Sequence, residues 1–213
     1  MVPEDRGETP MKTLVMGSTN PAKIAQIRDA LAPTGVQVEG VADKRLLPEV
    51  IEDGANVQEN ARKKALAYAK ALGRTVFSMD NGLFFEDLSA EQQPGVHVRR
   101  IGGKVAATDA ELLAHGIELV ESLGGKVKAY WEYGVCIATP EGEFVETTFR
   151  TPRLFVSSPS AKVVHGYPLE SIQIDPSSGK YISEMSREEV AEFWQNTLGA
   201  PLCALVRRAP DIK

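Results

Sequence analysis

Residues 18–23, Ser-Thr-Asn-Pro-Ala-Lys, constrain this chain more than any other segment. They follow the apolar run Leu14-Val15-Met16-Gly17, which reads as a buried strand. Ile24, Ile27 and Leu31 come next, spaced as one face of a helix. Asn20 is placed to cap that helix, and Pro21 suits its first position, where the missing N–H costs nothing. A strand therefore ends, the chain turns, and a capped helix begins with Lys23 in its first turn. Free N–H groups around Ser18, Thr19 and Asn20, the positive end of the helix dipole and Lys23 converge there. That makes an anion site, and a polyphosphate fits it. An ordinary strand-to-helix turn with an exposed lysine uses the same residues, so this segment alone does not decide the matter.

The rest of the chain alternates between helical and extended patterns. Residues 36–41 alternate apolar and polar, as a strand does, and a polar loop runs from 42 to 54. Asn56 and Glu59 are spaced as a capping box, opening a helix whose apolar face is Val57, Ala61, Ala65, Tyr68 and Leu72, with Gly73 as its stop. Strands are predicted at 75–78 and 83–88, flanking a kink over Met79-Asp80-Asn81-Gly82. Thr108 and Glu111 cap a helix to Leu123. Residues 127–138 and 143–150 form a long hairpin around Pro140-Glu141-Gly142. Residues 151–166 read as loop, 169–174 as a short strand, Ser186 and Glu189 as the cap of a helix to about Leu198, and 202–207 as a closing strand. The outcome is an α/β fold around a mixed sheet flanked by helices.

Composition narrows the function. The 213 residues suffice for one sizeable core or two lobes sharing a sheet. The first ten are polar and read as a disordered extension, with the fold starting near Met11 and residues 11–213 forming one domain. A net charge of −5 argues against a protein that wraps nucleic acid, so an anionic nucleotide needs a local positive patch and a divalent cation. Cys136 and Cys203 read as separate buried thiols, without a zinc pattern. No apolar stretch is long enough to cross a bilayer, which leaves a cytoplasmic enzyme or binding protein as the expectation.

Three further segments join the first. Residues 52–65 read Glu-Asp-Gly-Ala-Asn-Val-Gln-Glu-Asn-Ala-Arg-Lys-Lys-Ala, residues 79–83 read Met-Asp-Asn-Gly-Leu, and Pro94-Gly95-Val96 is followed by Arg99 and Arg100. In order and spacing the four segments resemble the inosine triphosphate pyrophosphatase family, over residues 12 to about 104. The resemblance implies an elongated mixed sheet, two lobes with a central active-site cleft, and a homodimer. It implies Mg²⁺-dependent hydrolysis of a nucleoside triphosphate to monophosphate and pyrophosphate. Glu52 and Asp80 match its metal-binding carboxylates, with Asp80 as ligand or general base. Glu59 is either a helix cap or a further metal group. Lys23 and Lys64 match phosphate-binding lysines. Asn60, which shares a helix face with Lys64 away from the apolar stripe, joins Asn81, Gly82 and Arg100 as a substrate contact, and Arg99 is placed to substitute for Arg100.

The departures from the family pattern carry information too. Met79 stands where the first of two paired aspartates is expected, and Asn81 where a serine is. The late aromatic-Gly-aromatic-Asp loop is His165-Gly166-Tyr167-Pro168, and the late Ser-His-Arg is replaced near Trp194-Gln195-Asn196-Thr197. His165 and Tyr167 remain as candidate base contacts. The phosphate and metal half is mostly retained and the base-reading half is not, which implies altered base specificity. Two alternatives remain: a catalytically weakened module binding a nucleotide or a partner, and a phosphohydrolase of another polyphosphorylated metabolite.

Overall fold

The computed structural model describes residues 13–104 and 106–209. The expected extension at 1–10 and the start near Met11 lie outside them.

The first strand, β1 (Thr13–Met16), leads into α1 (Pro21–Leu31). Asn20 caps α1 as its spacing implies, its side-chain oxygen accepting the Ala22 N–H at 3.0 Å. After β2 (Gln37–Gly40) comes α2 (Val57–Leu72), closed by Gly73 with a left-handed φ of 60°. Asn56 accepts the Glu59 N–H, but the Glu59 carboxylate takes the Ala55 N–H rather than that of Asn56, so the capping box is displaced by one residue. Then follow β3 (Val76–Phe85), α3 (Asp109–Ser122), β4 (Lys126–Ala138) and β5 (Phe144–Val156). The two-residue β6 (Gln173–Ile174), α4 (Arg187–Trp194) and α5 (Ala200–Arg208) complete the order.

The strands form one six-stranded sheet in the order β2-β1-β3-β4-β5-β6. The first three are parallel and the rest antiparallel. Alternation along β3 and β4 divides the core. Phe77 and Met79 on β3, with Val135 and Ile137 on β4, pack against α1, α4 and α5. On the same face but further along, Leu83, Phe85, Val127 and Ala129 pack against α3. The opposite face, with Val76 and Cys136, is covered by α2. These two clusters on one face are the cores of two lobes, and the gap between them becomes the site.

Four local readings need correction. Residues 79–82 are continuous strand, not a kink, because each pairs in register with β4, from Met79↔Val135 to Gly82↔Glu132. β5 runs on through residues 151–156, paired with Lys126–Trp131, despite Pro152. The predicted strand at 169–174 is a 3₁₀ turn over Pro168–Ile172 with only two strand residues after it. The predicted closing strand is helix α5: Leu202, Leu205 and Val206 form a buried helical face, entered through a π turn at Gln195–Gly199 that joins it to α4. Cys203 is accordingly a half-buried helical thiol, and it and the buried Cys136 are both free.

Candidate active site

β1 stops pairing with β3 at Met16↔Phe77, yet β3 continues for eight more residues. The edge of β3 facing β1 is therefore open from Ser78 until the isolated bridge between Leu83 and Gly95. The helices leaving β1 and β2 lie on opposite faces of the sheet, so a crevice forms at the carboxyl end of β1, where α/β folds bind ligands. A cavity of about 460 Å³ opens there.

At the β3 edge four side chains are cross-linked. Lys64 donates to Glu52 at 2.9 Å and to Asp80 at 3.2 Å. Asn60 donates to the other Asp80 oxygen at 3.0 Å and accepts the Gly54 N–H at 2.8 Å. Gly54 is the only residue type that fits, since a Cβ there would lie 2.6 Å from that Asn60 oxygen. Lys64, placed by helix periodicity on a polar face, is in fact 8% exposed, as is Asp80. Burial alone would lower the Lys64 pKa; the charges of Asp80 and Glu52 outweigh it, and the net shift is upward. Lys23 lines the same cavity, and its pKa is lowered, by burial first and then by repulsion from Lys64. Glu52, Asn60, Asp80 and Asn81 line the cavity with it.

The other predicted residues fall into place unevenly. Arg100 lines the cavity near Glu52, donating to its backbone carbonyl at 3.4 Å and contacting His97 at 3.2 Å. Arg99 lines it as well, but its guanidinium is engaged by Asp109 at 2.9 Å and by the Gly166 carbonyl at 3.1 Å. With the Gly166 N–H donating to Asp109 at 2.7 Å, this pins the 165–167 loop to the start of α3. Burial would raise the Asp109 pKa, but the Gly166 N–H and Arg99 hold it below its usual value. Tyr167 reaches the cavity and donates to Gln26 at 2.8 Å.

Several expected contacts do not line the cavity. His165 is fully exposed, its Nδ1 3.3 Å from Asp109, because the pinned loop turns it outward. Glu59 is occupied at the α2 N-terminus by the Ala55 N–H and does not join Glu52 and Asp80. Ser18 takes the Asn20 N–H, Asn20 lies against Gly166, and Thr19 is exposed, so the turn supports Lys23 without lining the cavity. Gly82 is a packing residue, since a Cβ there would come within 2.9 Å of the Gly95 carbonyl. Met79 points to the opposite side of β3 from Asp80 and is buried in the α1/α4/α5 core. Of 194–197, Trp194 alone reaches the cavity.

Sequence reasoning missed the other end of the cavity. It is lined by Trp131, Tyr133, Glu170 and Gln173 along with Tyr167 and Trp194. Trp131 Nε1 donates to Gln173 Oε1 at 3.0 Å. Behind this wall Arg153 is 4% exposed, with its guanidinium 4.9 Å from the Phe193 ring centre and 5.9 Å from that of Trp194. Burial pushes the Glu170 carboxyl up to about 7, against the opposing pull of Arg153. No linear motif marks these residues, which meet only through the β5–β6 pairing and the 3₁₀ turn.

The family model that matches residues 14–194 is that of the Ham1 family. This chain belongs to the Ham1 family. A relative from Thermus thermophilus, named a dITP/XTP pyrophosphatase, is 33% identical over 93% of this chain and 92% of its own length. One from Exiguobacterium, with the same name, is 29% identical over 84% of this chain and 88% of its own. Among solved structures, a HAM1 protein from Coxiella burnetii shares the fold at a TM-score of 0.70 and 22% identity, over 93% of this chain and all of its own. A nucleoside-triphosphatase, dITP/XTP pyrophosphatase from Mycobacterium abscessus matches at a TM-score of 0.62 and 25% identity, over 91% of this chain and 98% of its own. The mixed sheet with flanking helices is thus the Ham1 fold.

Proposed function

We propose that this Ham1 protein is a Mg²⁺-dependent nucleoside triphosphate pyrophosphohydrolase with altered base specificity, converting a triphosphate and water to a monophosphate and pyrophosphate. One observation carries the reading: Glu52 and Asp80 converge on a single cation position, occupied by the Lys64 ammonium at 2.9 and 3.2 Å, inside a cavity that Lys23 also lines.

The donor set fits Mg²⁺. Two hard carboxylates are in place, and water and phosphate oxygens complete the coordination this ion prefers. Among the described residues no group of three or more His, Cys, Asp or Glu side chains is gathered for a metal. Glu52 and Asp80 would hold Mg²⁺, which would supply charge neutralisation on the phosphates. Asn60 holds one Asp80 oxygen, fixing the carboxylate so that it accepts the proton of the water attacking the α-phosphorus. The α–β bridging oxygen leaves with the pyrophosphate, whose charge Lys23, Lys64 and Arg100 balance. Desolvation makes Lys23 a strong partner for an anion, because a phosphate returns the electrostatic stabilisation that burial removed.

The altered base specificity is supported by what faces the aromatic end. His165 turns to solvent, and the 195–197 stretch is turned away from the cavity. The same reading takes the protein as a cytoplasmic homodimer; no described helix is long and apolar enough to cross a membrane. Light scattering tests the dimer. Pyrophosphate release from inosine, xanthosine, guanosine, adenosine and pyrimidine triphosphates with Mg²⁺ tests the activity. Release from at least one, without a large advantage for inosine or xanthosine triphosphate, is expected. Triphosphate binding without turnover would favour the weakened module instead.

A further inference from the structure

The aromatic end of the cavity contains an acceptor and a donor that the protein leaves unmatched. The Glu170 carboxylate takes no hydrogen bond from any described residue; burial raises its pKa and the charge of Arg153 opposes that rise. Arg153 is not paired with it, since its Nη1 donates to the Pro152 carbonyl at 2.8 Å and its buried Nη2 has no partner among the described residues. Gln173 is fixed in orientation because its Oε1 accepts from Trp131 Nε1, which leaves Nε2 as a donor without a described partner. Glu170 and Gln173 are three residues apart across a 3₁₀ turn, where positions i and i+3 lie on one side. Both line the cavity, flanked by Trp131, Tyr167 and Trp194. A half-buried carboxylate without a protein hydrogen bond is free to accept one from a ligand, and an aromatic wall around it suits a flat heterocycle.

The lateral position fits as well. Gln173 lies on β6, three strands from β3, which carries Asp80. Three strand spacings amount to about 14 Å, a span that separates the base of a nucleotide from its outer phosphates.

We propose that Glu170 and Gln173 read the base. Gln173 Nε2 donates to a ring carbonyl, and the Glu170 carboxylate accepts from the adjacent ring N–H and an exocyclic amine, so the preferred base is a 2-amino-6-oxopurine. This rests on the pyrophosphohydrolase reading of the same cavity. Hypoxanthine offers Glu170 one donor instead of two. Xanthine places a carbonyl against the carboxylate. Adenine presents an amine to the Gln173 donor. A site that hydrogen-bonds its ligand rejects the analogue that leaves its polar groups unpaired.

Equilibrium binding and pyrophosphate release are measured for guanosine, inosine, xanthosine and adenosine triphosphates with Mg²⁺, using inorganic triphosphate as a base-free probe. The wild type is expected to favour guanosine over inosine triphosphate by about 10-fold and over the other two by more. Glu170→Gln should remove the guanosine advantage and improve xanthosine triphosphate, while affinity for inorganic triphosphate stays within about twofold. Gln173→Leu should weaken every 6-oxopurine relative to adenosine triphosphate, and provides an independent test if the first variant folds poorly. Release of no pyrophosphate with the binding order intact would overturn the hydrolase reading and support this one. An equal loss on all four nucleotides in Glu170→Gln, or wild-type preference for inosine, xanthosine or adenosine triphosphate, would overturn the assignment.

Discussion

The two ends of the cavity treat buried charge in opposite ways. At the β3 edge both carboxylates are matched: Lys64 bridges Glu52 and Asp80, and Asn60 takes the remaining Asp80 oxygen. At the aromatic end Glu170 and Arg153 lie in one neighbourhood without pairing. The carboxylates of the first end already hold a cation, and Lys23 is the group there that an anion would match. At the second, burial disfavours the ionised Glu170, a cost that a ligand with donors reduces. On the proposed reading, chemistry that serves any triphosphate belongs to the matched end and discrimination to the unmatched one.

The largest expected effect tests the matched end. Asp80→Asn removes a charge that Lys64 balances and a proton acceptor, so kcat should fall by roughly 10³-fold or more. Steady-state kinetics that retain even a tenth of wild-type turnover would remove Asp80 from the chemistry.

Lys64→Ala comes next. A surface lysine would cost within about 0.5 kcal/mol, but this one is buried between two carboxylates. Removing it leaves two like charges facing each other, so denaturant unfolding should register a loss of about 2–4 kcal/mol, with weaker triphosphate binding. Unchanged stability would show that the matched end is not held by charge pairing.

The third prediction concerns pH at the unmatched end. Glu170 titrates near 7 in the folded protein instead of at 4.5. Because its folded value is the higher one, its contribution is fully present below about pH 4.5 and is lost as pH rises through 7. Glu170→Gln, which cannot ionise, should therefore gain stability relative to wild type between pH 5 and 8.5, by an amount on the order of 2–3 kcal/mol. Parallel stability profiles for the two proteins would mean that Glu170 is solvated or paired, and the contrast between the two ends would disappear.

The smallest effect separates the loop from the cavity. His165→Ala should leave kcat/KM for every nucleotide within about twofold, because the ring is fully exposed. A base-dependent loss in this variant would place His165 over the ligand.

The sequence was legible where chemistry is local. Asn20 and Pro21 mark the start of α1, and Gly73 the end of α2, by capping rules that need no tertiary context. Asp80, Glu52, Asn60 and Lys23 sit in segments of recognisable spacing, and the fold brings them to one cavity. The burial of Lys64 was not legible, since a lysine outside an apolar stripe reads as solvated, and only the fold reveals the carboxylates beside it. Helix α5 was misread because Leu202-Cys203-Ala204-Leu205-Val206 has the composition of a strand; its packing on α1 and β5 decides otherwise. Glu170 and Gln173 carry no signal in sequence, because one sits in a 3₁₀ turn and the other on a two-residue strand that exists only through its pairing with Leu154 and Phe155.

The most direct test of the central claim is ³¹P NMR of the products formed from a nucleoside triphosphate and Mg²⁺, with wild type, Asp80→Asn and an EDTA control. Nucleoside monophosphate and pyrophosphate are expected in equal amounts from the wild type, and neither from the variant nor with EDTA. Nucleoside diphosphate and orthophosphate, or the same products formed at an unchanged rate by Asp80→Asn, would contradict it.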